Sequence, residues 1–501
     1  MTADTKRQPL HASSVFNQVE QTLSSLLPPS QREQPTDSGF SSNRHDLERS
    51  LAQVLSSKQN GQIFFITDGV NKLSGCGDLS ADDLILEILA HQNFTVRSIS
   101  LATVLGCEPN EVHASVEAVA QLAEYLSVFE PAPVVTLGSG SLTDVVKHAL
   151  FELKWDQIPF VVIPTALTVT AFTSHFSVLE DAGAKRTRVS RRVDTCLWFA
   201  PILSSAPIQM TRAGYGDLLA RFVAYGDWYL AWHFGVADRY DELAFELMEP
   251  FTGALKKHAS DMRNWPVKTS AIEDLSAILS MAGIAMSVSG ETTPLSGYEH
   301  TISHALDYLR LTSKRALCWH GEQVALASLS SAESYDQLLS LEKLSLDEQR
   351  PMSEDHVRRT IQRLLLTAPY FGPAEQVLTA EERKKGLESM HESVQKATEI
   401  FTVDYLKKHK KWMDAQPRRQ ALAEQWSDIR AHLRTLVMSA DEMRGLLDDA
   451  GLPVIPEELS QPTTALEYRW AVRFSPFVRT RASLADIIFW LGEDPAQWAI
   501  V

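Results

Sequence analysis

The feature that most constrains this chain is a change of periodicity near Pro207. Upstream, apolar runs of strand length alternate with amphipathic stretches of helix length. The runs "QIFFITD" (62–68), "FTVRSISL", "APVVTLG" (132–138) and "PFVVIPT" (159–165) read as strands, and "LSADDLILEILAHQ", 110–127 and "SLTDVVKHALFEL" read as helices. Strands that are apolar on both faces and alternate with helices predict a parallel sheet covered on both sides. Downstream, almost every periodic segment has the helical repeat: 207–234, 240–260, 270–289, 298–310, 319–345, 353–366, 379–410, 417–450 and 483–491. The expected architecture is an α/β domain over 46–205 followed by an all-helical domain over 206–501, with a small-molecule site in a cleft where they meet. Residues 1–45 are rich in Ser, Gln, Pro and Asn without sustained periodicity, and are expected to form a flexible or loosely docked extension.

A chain of 501 residues is long enough for two separate cores. No continuous apolar run approaches the roughly 18 residues of a membrane span, and "MTADTKRQPLHASS" lacks the apolar core of a signal peptide, so a cytoplasmic location is expected. The four cysteines, Cys76, Cys107, Cys196 and Cys318, lie far apart and form no CxxC pair, which suggests neither a disulfide framework nor a thiolate metal site. The formal charge of −16 argues against nucleic acid as a partner, because that interaction draws on clustered cations. The run "KKHKK" (407–411) reads as a solvated helix face. An anionic substrate would have to be attracted by a local group of positive charges.

Two segments carry chemistry on the sheet side. In "VVTLGSGSLTDVVKHAL", Gly138, Ser139, Gly140 and Ser141 join a strand to a helix. Glycines let the backbone approach a phosphate, and a helix N-terminus offers unpaired N–H groups and a positive dipole end. The same residues also suit a plain tight turn, since "GSGS" is not the GxGxxG fingerprint. Asp68, at the end of "FFITDG", can accept hydrogen bonds from ribose hydroxyls or can close an Asx turn before Gly69.

The helical half contains "SGYEHTISHALD", in which His300 and His304 are four residues apart and share one helical face. His320 follows in "WHGEQV", and Asp217 lies in "AGYGDLLARF". Two imidazoles and a carboxylate from three helices suit a divalent metal with a position left open for substrate. Each residue also has a structural reading. Asp217 is acceptable as a helix N-cap, His304 as a core histidine bonded to a carbonyl, and His320 as a cap packed beside Trp319.

Six motifs, in order, decide between these readings: "ITDGVNKLSG", "GSGSLTDVVK", "IPTALTVTAFTS", "AGYGDLLARFVAYGDW", "SGYEHTISHALD" and "HGEQV". Together with "FVRTRASLADIIFWLG" near the C-terminus, they make the chain resemble the sn-glycerol-1-phosphate dehydrogenases, within the superfamily of iron-containing alcohol dehydrogenases, glycerol dehydrogenases and dehydroquinate synthases. The resemblance implies a dehydroquinate synthase-like fold, with a Rossmann-like NAD(P)-binding domain and a helical metal domain. It implies that Asp217, His300 and His320 ligate a divalent metal, usually zinc and sometimes nickel, iron or manganese, and that His304 contacts substrate. It further implies that Gly138, Ser139, Gly140, Ser141 and Leu142 cradle the pyrophosphate of NAD or NADP, that Thr165, Thr168 and Ser174 touch the cofactor, and that Asp68 lies near the adenine ribose. A homodimer or larger assembly is the family's habit.

Two positions depart from the pattern. Thr170 stands where the glycerol-phosphate enzymes usually have an Asp that bonds substrate hydroxyls, and Thr293 in "TTPLSG" stands where they commonly have an Arg. The implied activity is metal-assisted hydride transfer between a nicotinamide and a small ketone or aldehyde, with dihydroxyacetone phosphate and glycerol 1-phosphate as the family's pair. Two other readings share the fold: an NAD-dependent sugar-phosphate cyclase, against which the absence of a Gly-Gly-Lys segment after "IPTAL" speaks, and a non-catalytic nucleotide-binding homologue.

Overall fold

The structure, a computed structural model, describes residues 13–31, 35–56, 61–181, 184–344, 352–369 and 380–499. They form two compact units, the first made of Met1–Leu218 with Glu242–Thr292 and the second of Leu219–Asp241 with Thr293–Val501. Residues 242–292 join the first unit because the helix Thr269–Ser289 packs there through Ser280, which takes a hydrogen bond from the Trp198 indole at Oγ (2.8 Å) and one from the Thr173 hydroxyl at its carbonyl (2.9 Å).

Among the described residues, the first unit has eight strands: β1 (Asp37–Ser41), β2 (Gln62–Thr67), β3 (Thr95–Ser100), β4 (Val134–Gly138), β5 (Phe160–Pro164), β6 (Phe176–Asp181), β7 (Ala184–Val189) and β8 (Thr195–Phe199). Six form a sheet in the order β1-β8-β5-β4-β2-β3 with every pair parallel, while β6 and β7 form an antiparallel hairpin. Alternate residues define the faces. Ile63, Phe65, Val135, Leu137, Val161, Ile163, Leu197 and Phe199 pack with Leu47, Leu51, Leu84, Ile85 and Ile88 of two helices. On the other face, Phe64 stacks with Trp155 and meets Phe129. Helices on both faces account for the near-continuous apolar strands.

The strand order places a switch point between β2 and β4. From β2 the chain moves outward to β3, and from β4 it moves the opposite way to β5, which opens a crevice at the C-terminal ends of β2 and β4 where ligands bind in sheets of this kind. Register puts Thr67 opposite Leu137, so Asp68 and Gly138, the residues next along each strand, emerge side by side.

Several expectations need correction. Within the N-terminal segment read as loose, Ser14–Leu26 is a helix capped by Ser13, whose hydroxyl accepts from the Phe16 N–H at 3.2 Å, with Phe16 and Val19 buried. Asp37–Ser41 is an edge strand paired with β8. A short Ser-containing strand held mainly by backbone hydrogen bonds leaves little trace in side-chain pattern. The parts of that call on residues 1–12 and 32–34 lie outside the described residues. The expectation that no segment is apolar enough to cross a membrane fails at Thr269–Ser289, which is long and apolar enough, with a mean hydropathy of 1.5 over its best 18 residues. Interspersed Ser and Gly hide it by eye, and 78% of that window is buried inside the fold as a core helix.

The stretch 207–234 is not one helix but Ile208–Leu218, a 3₁₀ turn Leu219–Phe222 and Ala224–His233. Likewise 240–260 is broken by a turn at Glu249–Phe251 that contains Pro250, and 417–450 falls into three helices, Gln416–Glu424, Trp426–Leu436 and Ala440–Ala450. In the second unit, the helices Tyr298–Thr312, His320–Ser340 and Ala465–Val478 form the centre, with Tyr308, Phe401 and Phe474 packed edge to face. The helix Ala465–Val478 escapes the sequence reading because Pro476 lies inside it and its aromatic content blurs the helical stripe.

Within the first unit, the buried imidazole of His258 bridges Asp274 (2.6 Å) and Asp261 (2.8 Å), which are also met by Lys257 and Lys268 respectively. The hydrogen bond to Asp274, with Asp261 adding to it, raises its pKa above the ordinary histidine value. A raised histidine pKa stabilises the fold fully below about pH 6.5, the unfolded value, and that stability fades as pH rises through the folded pKa. Urea unfolding of the wild type between pH 6 and 9 is expected to show this decline, and His258→Gln should flatten it. Identical pH slopes for the two proteins would remove the argument.

Candidate active site

The crevice at the switch point is shaped by what the turn after β4 cannot accommodate. A Cβ on Gly138 would overlap the Leu142 side chain and one on Gly140 would overlap Val169, so a larger residue at either position would have to displace its neighbour at the start of the helix Gly140–Glu152. Ser139 occupies the N-cap position without making a side-chain cap, Ser141 is exposed, and Leu142 is buried. An uncapped helix start at a switch point suits an anionic group. Thr165 follows β5 and donates its N–H to the Gly138 carbonyl (3.1 Å), which closes the turn from the next strand.

Asp68 takes the Asx-turn geometry: its Oδ1 accepts from the Val70 N–H at 2.9 Å and is ion-paired with Lys72. Thr168 and Thr170 lie half-buried in the loop after β5, Thr170 at the start of a 3₁₀ turn, while Ser174 is buried with its hydroxyl accepting from the Phe176 N–H (3.1 Å). This loop is anchored from below by a residue the sequence reading missed. Lys147, wholly buried, donates from Nζ to the carbonyls of Ala171 (2.9 Å), Ser174 (3.0 Å) and Phe176 (2.5 Å), and lies 3.1 Å from Asp144. Burial pushes the lysine pKa down and the aspartate pKa up, and each charge offsets part of the other's shift. The available signal was "DVVK", an acid and a base three apart on a helix that the pattern already required to be buried.

Asp217 is the penultimate residue of Ile208–Leu218, at the end opposite to an N-cap. The helix is brought against the loop after β5 by Gly214, where any side chain would collide with the Leu167 carbonyl.

In the second unit, three imidazoles cluster, with ring centroids 5.3 Å apart for His300 and His320, 5.9 Å for His304 and His320, and 6.2 Å for His300 and His304. Hydrogen bonds fix their protons. The Nδ1 of His300 lies 2.8 Å from the buried Glu299 carboxylate, which can only accept when ionised, so the lone pair is on Nε2. The Nδ1 of His320 lies 3.2 Å from Ser303 Oγ, whose own proton goes to Gln323 Oε1 (2.8 Å), and this again assigns the lone pair to Nε2. His304 Nε2 lies 2.7 Å from an Arg479 amino group. A guanidinium cannot accept, so His304 accepts there as neutral imidazole. One neighbour of His304 is thus an arginine.

The start of the helix Tyr298–Thr312 is held by a second buried carboxylate. Asp227 accepts from the Tyr298 N–H, from the Tyr335 hydroxyl (2.5 Å) and from the Leu484 N–H (3.3 Å). Burial, with the Glu299 charge nearby, pushes its pKa up to about 8. Taken over the described residues, Asp217, His300 and His320 each offer one donor atom, and these atoms lie within 4.8 Å of one another. Two imidazoles with their lone pairs on Nε2 and a carboxylate suit a divalent cation in donor type.

Comparison with known proteins gives the class first. Residues 80–199 match the family model of iron-containing alcohol dehydrogenase. A glycerol-1-phosphate dehydrogenase [NAD(P)+] of Hyperthermus butylicus is 33% identical over 270 residues, which are 53% of this chain and 70% of that one. Another, of Geobacillus thermodenitrificans, is 26% identical over 313 residues, 62% of this chain and 73% of its own. Among solved structures, glycerol dehydrogenase from Schizosaccharomyces pombe aligns with a TM-score of 0.46 at 16% identity, covering 72% of this chain and 90% of that one. The chain belongs to the glycerol-1-phosphate dehydrogenase family.

Removing the Lys147 ammonium leaves Asp144 buried without its counter-charge. Lys147→Met is therefore expected to destabilise the protein by about 3–5 kcal/mol in urea unfolding, and Asp144→Asn combined with Lys147→Met by less than the sum of the two single changes. Strict additivity would mean that the pair does not act as a unit.

Proposed function

We propose that this protein is a metal-dependent NAD(P)-linked oxidoreductase that interconverts a small phosphorylated ketone and its alcohol, with dihydroxyacetone phosphate and glycerol 1-phosphate as the pair to test first. The observation that carries the reading is the grouping of Asp217, His300 and His320 donors within 4.8 Å, in a chain whose sheet presents an uncapped glycine turn at its switch point. Asp217, His300 and His320 would hold the cation, zinc being the metal best suited to two nitrogens and one oxygen. When bound, the metal supplies Lewis-acid stabilisation of a carbonyl oxygen and the nicotinamide supplies the hydride.

The chain's own residues would supply placement. Gly138, Ser139, Gly140, Ser141 and Leu142 would hold the pyrophosphate through backbone N–H groups, and Thr165, Thr168 and Ser174 would contact the cofactor, with Ser174 fixed by Lys147 through its carbonyl. Asp68, paired with Lys72, would lie near the adenine ribose, where its carboxylate favours a ribose hydroxyl over a 2′-phosphate. Glu299 holds the His300 ring in the tautomer that presents Nε2. His304, held neutral against Arg479, contacts substrate and moves its proton, and Thr170 stands beside the substrate hydroxyls. A cytoplasmic homo-oligomer accords with this reading.

The test is NADH and NADPH oxidation by metal-analysed protein with dihydroxyacetone phosphate. Stoichiometric consumption of reduced cofactor supports the reading, whereas turnover with only catalytic NAD would replace it with a cyclase. His320→Ala is expected to abolish metal retention through gel filtration, and full occupancy in that variant would remove His320 from the ligand set. Glu299→Gln, which keeps an acceptor oxygen for the Gly297 N–H but weakens the support of His300, should lower metal affinity by about 10–100-fold in competition with a chelator. An unchanged affinity would mean that Glu299 serves the fold alone.

A further inference from the structure

We infer that Gln323 is a positioning residue: acting through Ser303, its side-chain amide decides which nitrogen of His320 carries the proton, and so whether that imidazole is ready to hold a cation. The inference rests on the place of His320 in the ligand set proposed above and adds the group that controls that ligand. The two histidines of the set are supported in unlike ways. His300 Nδ1 faces Glu299 Oε1 (2.8 Å), and the same oxygen takes the Gly297 N–H (2.6 Å). An ionised carboxylate only accepts, so the His300 proton has one place to be. His320 Nδ1 faces the hydroxyl of Ser303 instead (3.2 Å). A hydroxyl can give or take, and by itself it suits either tautomer.

The choice is made one bond further on. Gln323 follows His320 by three residues on the helix His320–Ser340 and so shares its side, while Ser303 stands between His300 and His304 on the helix Tyr298–Thr312. Ser303 and Gln323 are wholly buried, and Ser303 Oγ donates to Gln323 Oε1 (2.8 Å). With its single proton committed there, Ser303 is left to accept from Nδ1–H, and the lone pair falls on Nε2. Turning the amide over would reverse each step. Gln323 Nε2 would donate to Ser303, Ser303 would be free to donate to Nδ1, and the imidazole proton would sit on Nε2, where it blocks a cation. In the observed orientation Gln323 Nε2 is buried without a hydrogen-bond partner, which buried donors seldom are. The reversed orientation would give that nitrogen Ser303 as its acceptor and strip Oε1 of its donor. Hydrogen-bond count alone therefore does not choose between the two, whereas a cation on His320 Nε2 does, and by linkage the orientation that favours the cation is favoured by it.

The test uses the full-length protein in two measurements: zinc binding in competition with a chelator, and nitrogen NMR of the zinc-free protein. In the second, the imidazole signal lost in His320→Ala identifies the ring, and its shifts show which nitrogen is protonated. The wild type is expected to carry the proton on Nδ1. Gln323→Met, which keeps the length of the side chain but offers no acceptor, should lower zinc affinity by about 10–100-fold and move the proton toward Nε2. Gln323→Glu, which when ionised can only accept, should hold zinc affinity at or above the wild-type level with the proton on Nδ1. Ser303→Ala should cost about as much affinity as Gln323→Met, and the double variant no more than either, because the two residues act in series. A wild-type ring protonated on Nε2, or a Gln323→Met ring whose proton stays on Nδ1, overturns the relay. Losses that add in the double variant would mean two independent packing defects and overturn it as well. If His320→Ala keeps full zinc while Gln323→Met still moves the proton on that ring, the relay stands and the proposed ligand set falls.

Discussion

Lys147 carries a charged group into the interior of the first unit, and much of the crevice at the switch point depends on where that charge is met. Its ammonium has three protons, and the carbonyls of Ala171, Ser174 and Phe176 and the Asp144 carboxylate surround it. The helix that begins at the glycine turn and the loop that carries Thr170 and Ser174 are thereby tied into one piece. From the other side, the Thr173 hydroxyl reaches the Ser280 carbonyl, and Gly283 lets the helix Thr269–Ser289 come close enough for this to happen. A buried ion is tolerated when every one of its protons finds an acceptor and a counter-charge stands beside it. Here that requirement also sets the loop's position.

The second unit uses the same device. Asp227, Glu299, Lys408 and Asp486 are buried, yet none is a proposed ligand or a proposed substrate contact. Asp227 and Glu299 hold the N-terminal turn of the histidine helix, the first through the Tyr298 N–H and the second through the Gly297 N–H (2.6 Å) and the His300 ring. Lys408 and Asp486 hold the link between helices Ala465–Val478 and Leu484–Trp490. Chemistry-bearing side chains here point as they do because charges behind them are satisfied in only one arrangement, which is what a site built for accurate positioning needs.

The parts of this that could be read in the sequence are those with a periodic or motif signature. β2, β3, β4 and β5 were legible as apolar runs, and the helices after Pro207 as helical stripes, because burial on both faces or on one stripe leaves a direct mark on residue choice. β1 and the hairpin β6–β7 were not. The first is short and rich in serine, and the second includes "AKRTRV", whose charges mask the alternation. The histidines were conspicuous by spacing, but their tautomers were not, since these depend on Glu299, Ser303 and Gln323 being placed by the fold. Arg479 is 175 residues from His304 in sequence and gave no local hint of its role. Helix breaks at Leu219–Phe222 and at Val437 went unseen because the apolar content runs on through them.

The first unit is interleaved with the second along the chain. Its sheet is complete at Phe199, but the apolar helix Thr269–Ser289 that packs on Trp198 and on the loop after β5 is made only after Leu219–Asp241, which belongs to the other unit. During synthesis, the strands and loop therefore leave the ribosome before the helix that covers them, and that helix is itself as greasy as a membrane segment until it docks. Neither unit can be finished in sequence order: the first stays open until Thr292 has emerged, and the second holds Leu219–Asp241 waiting for helices that are made last.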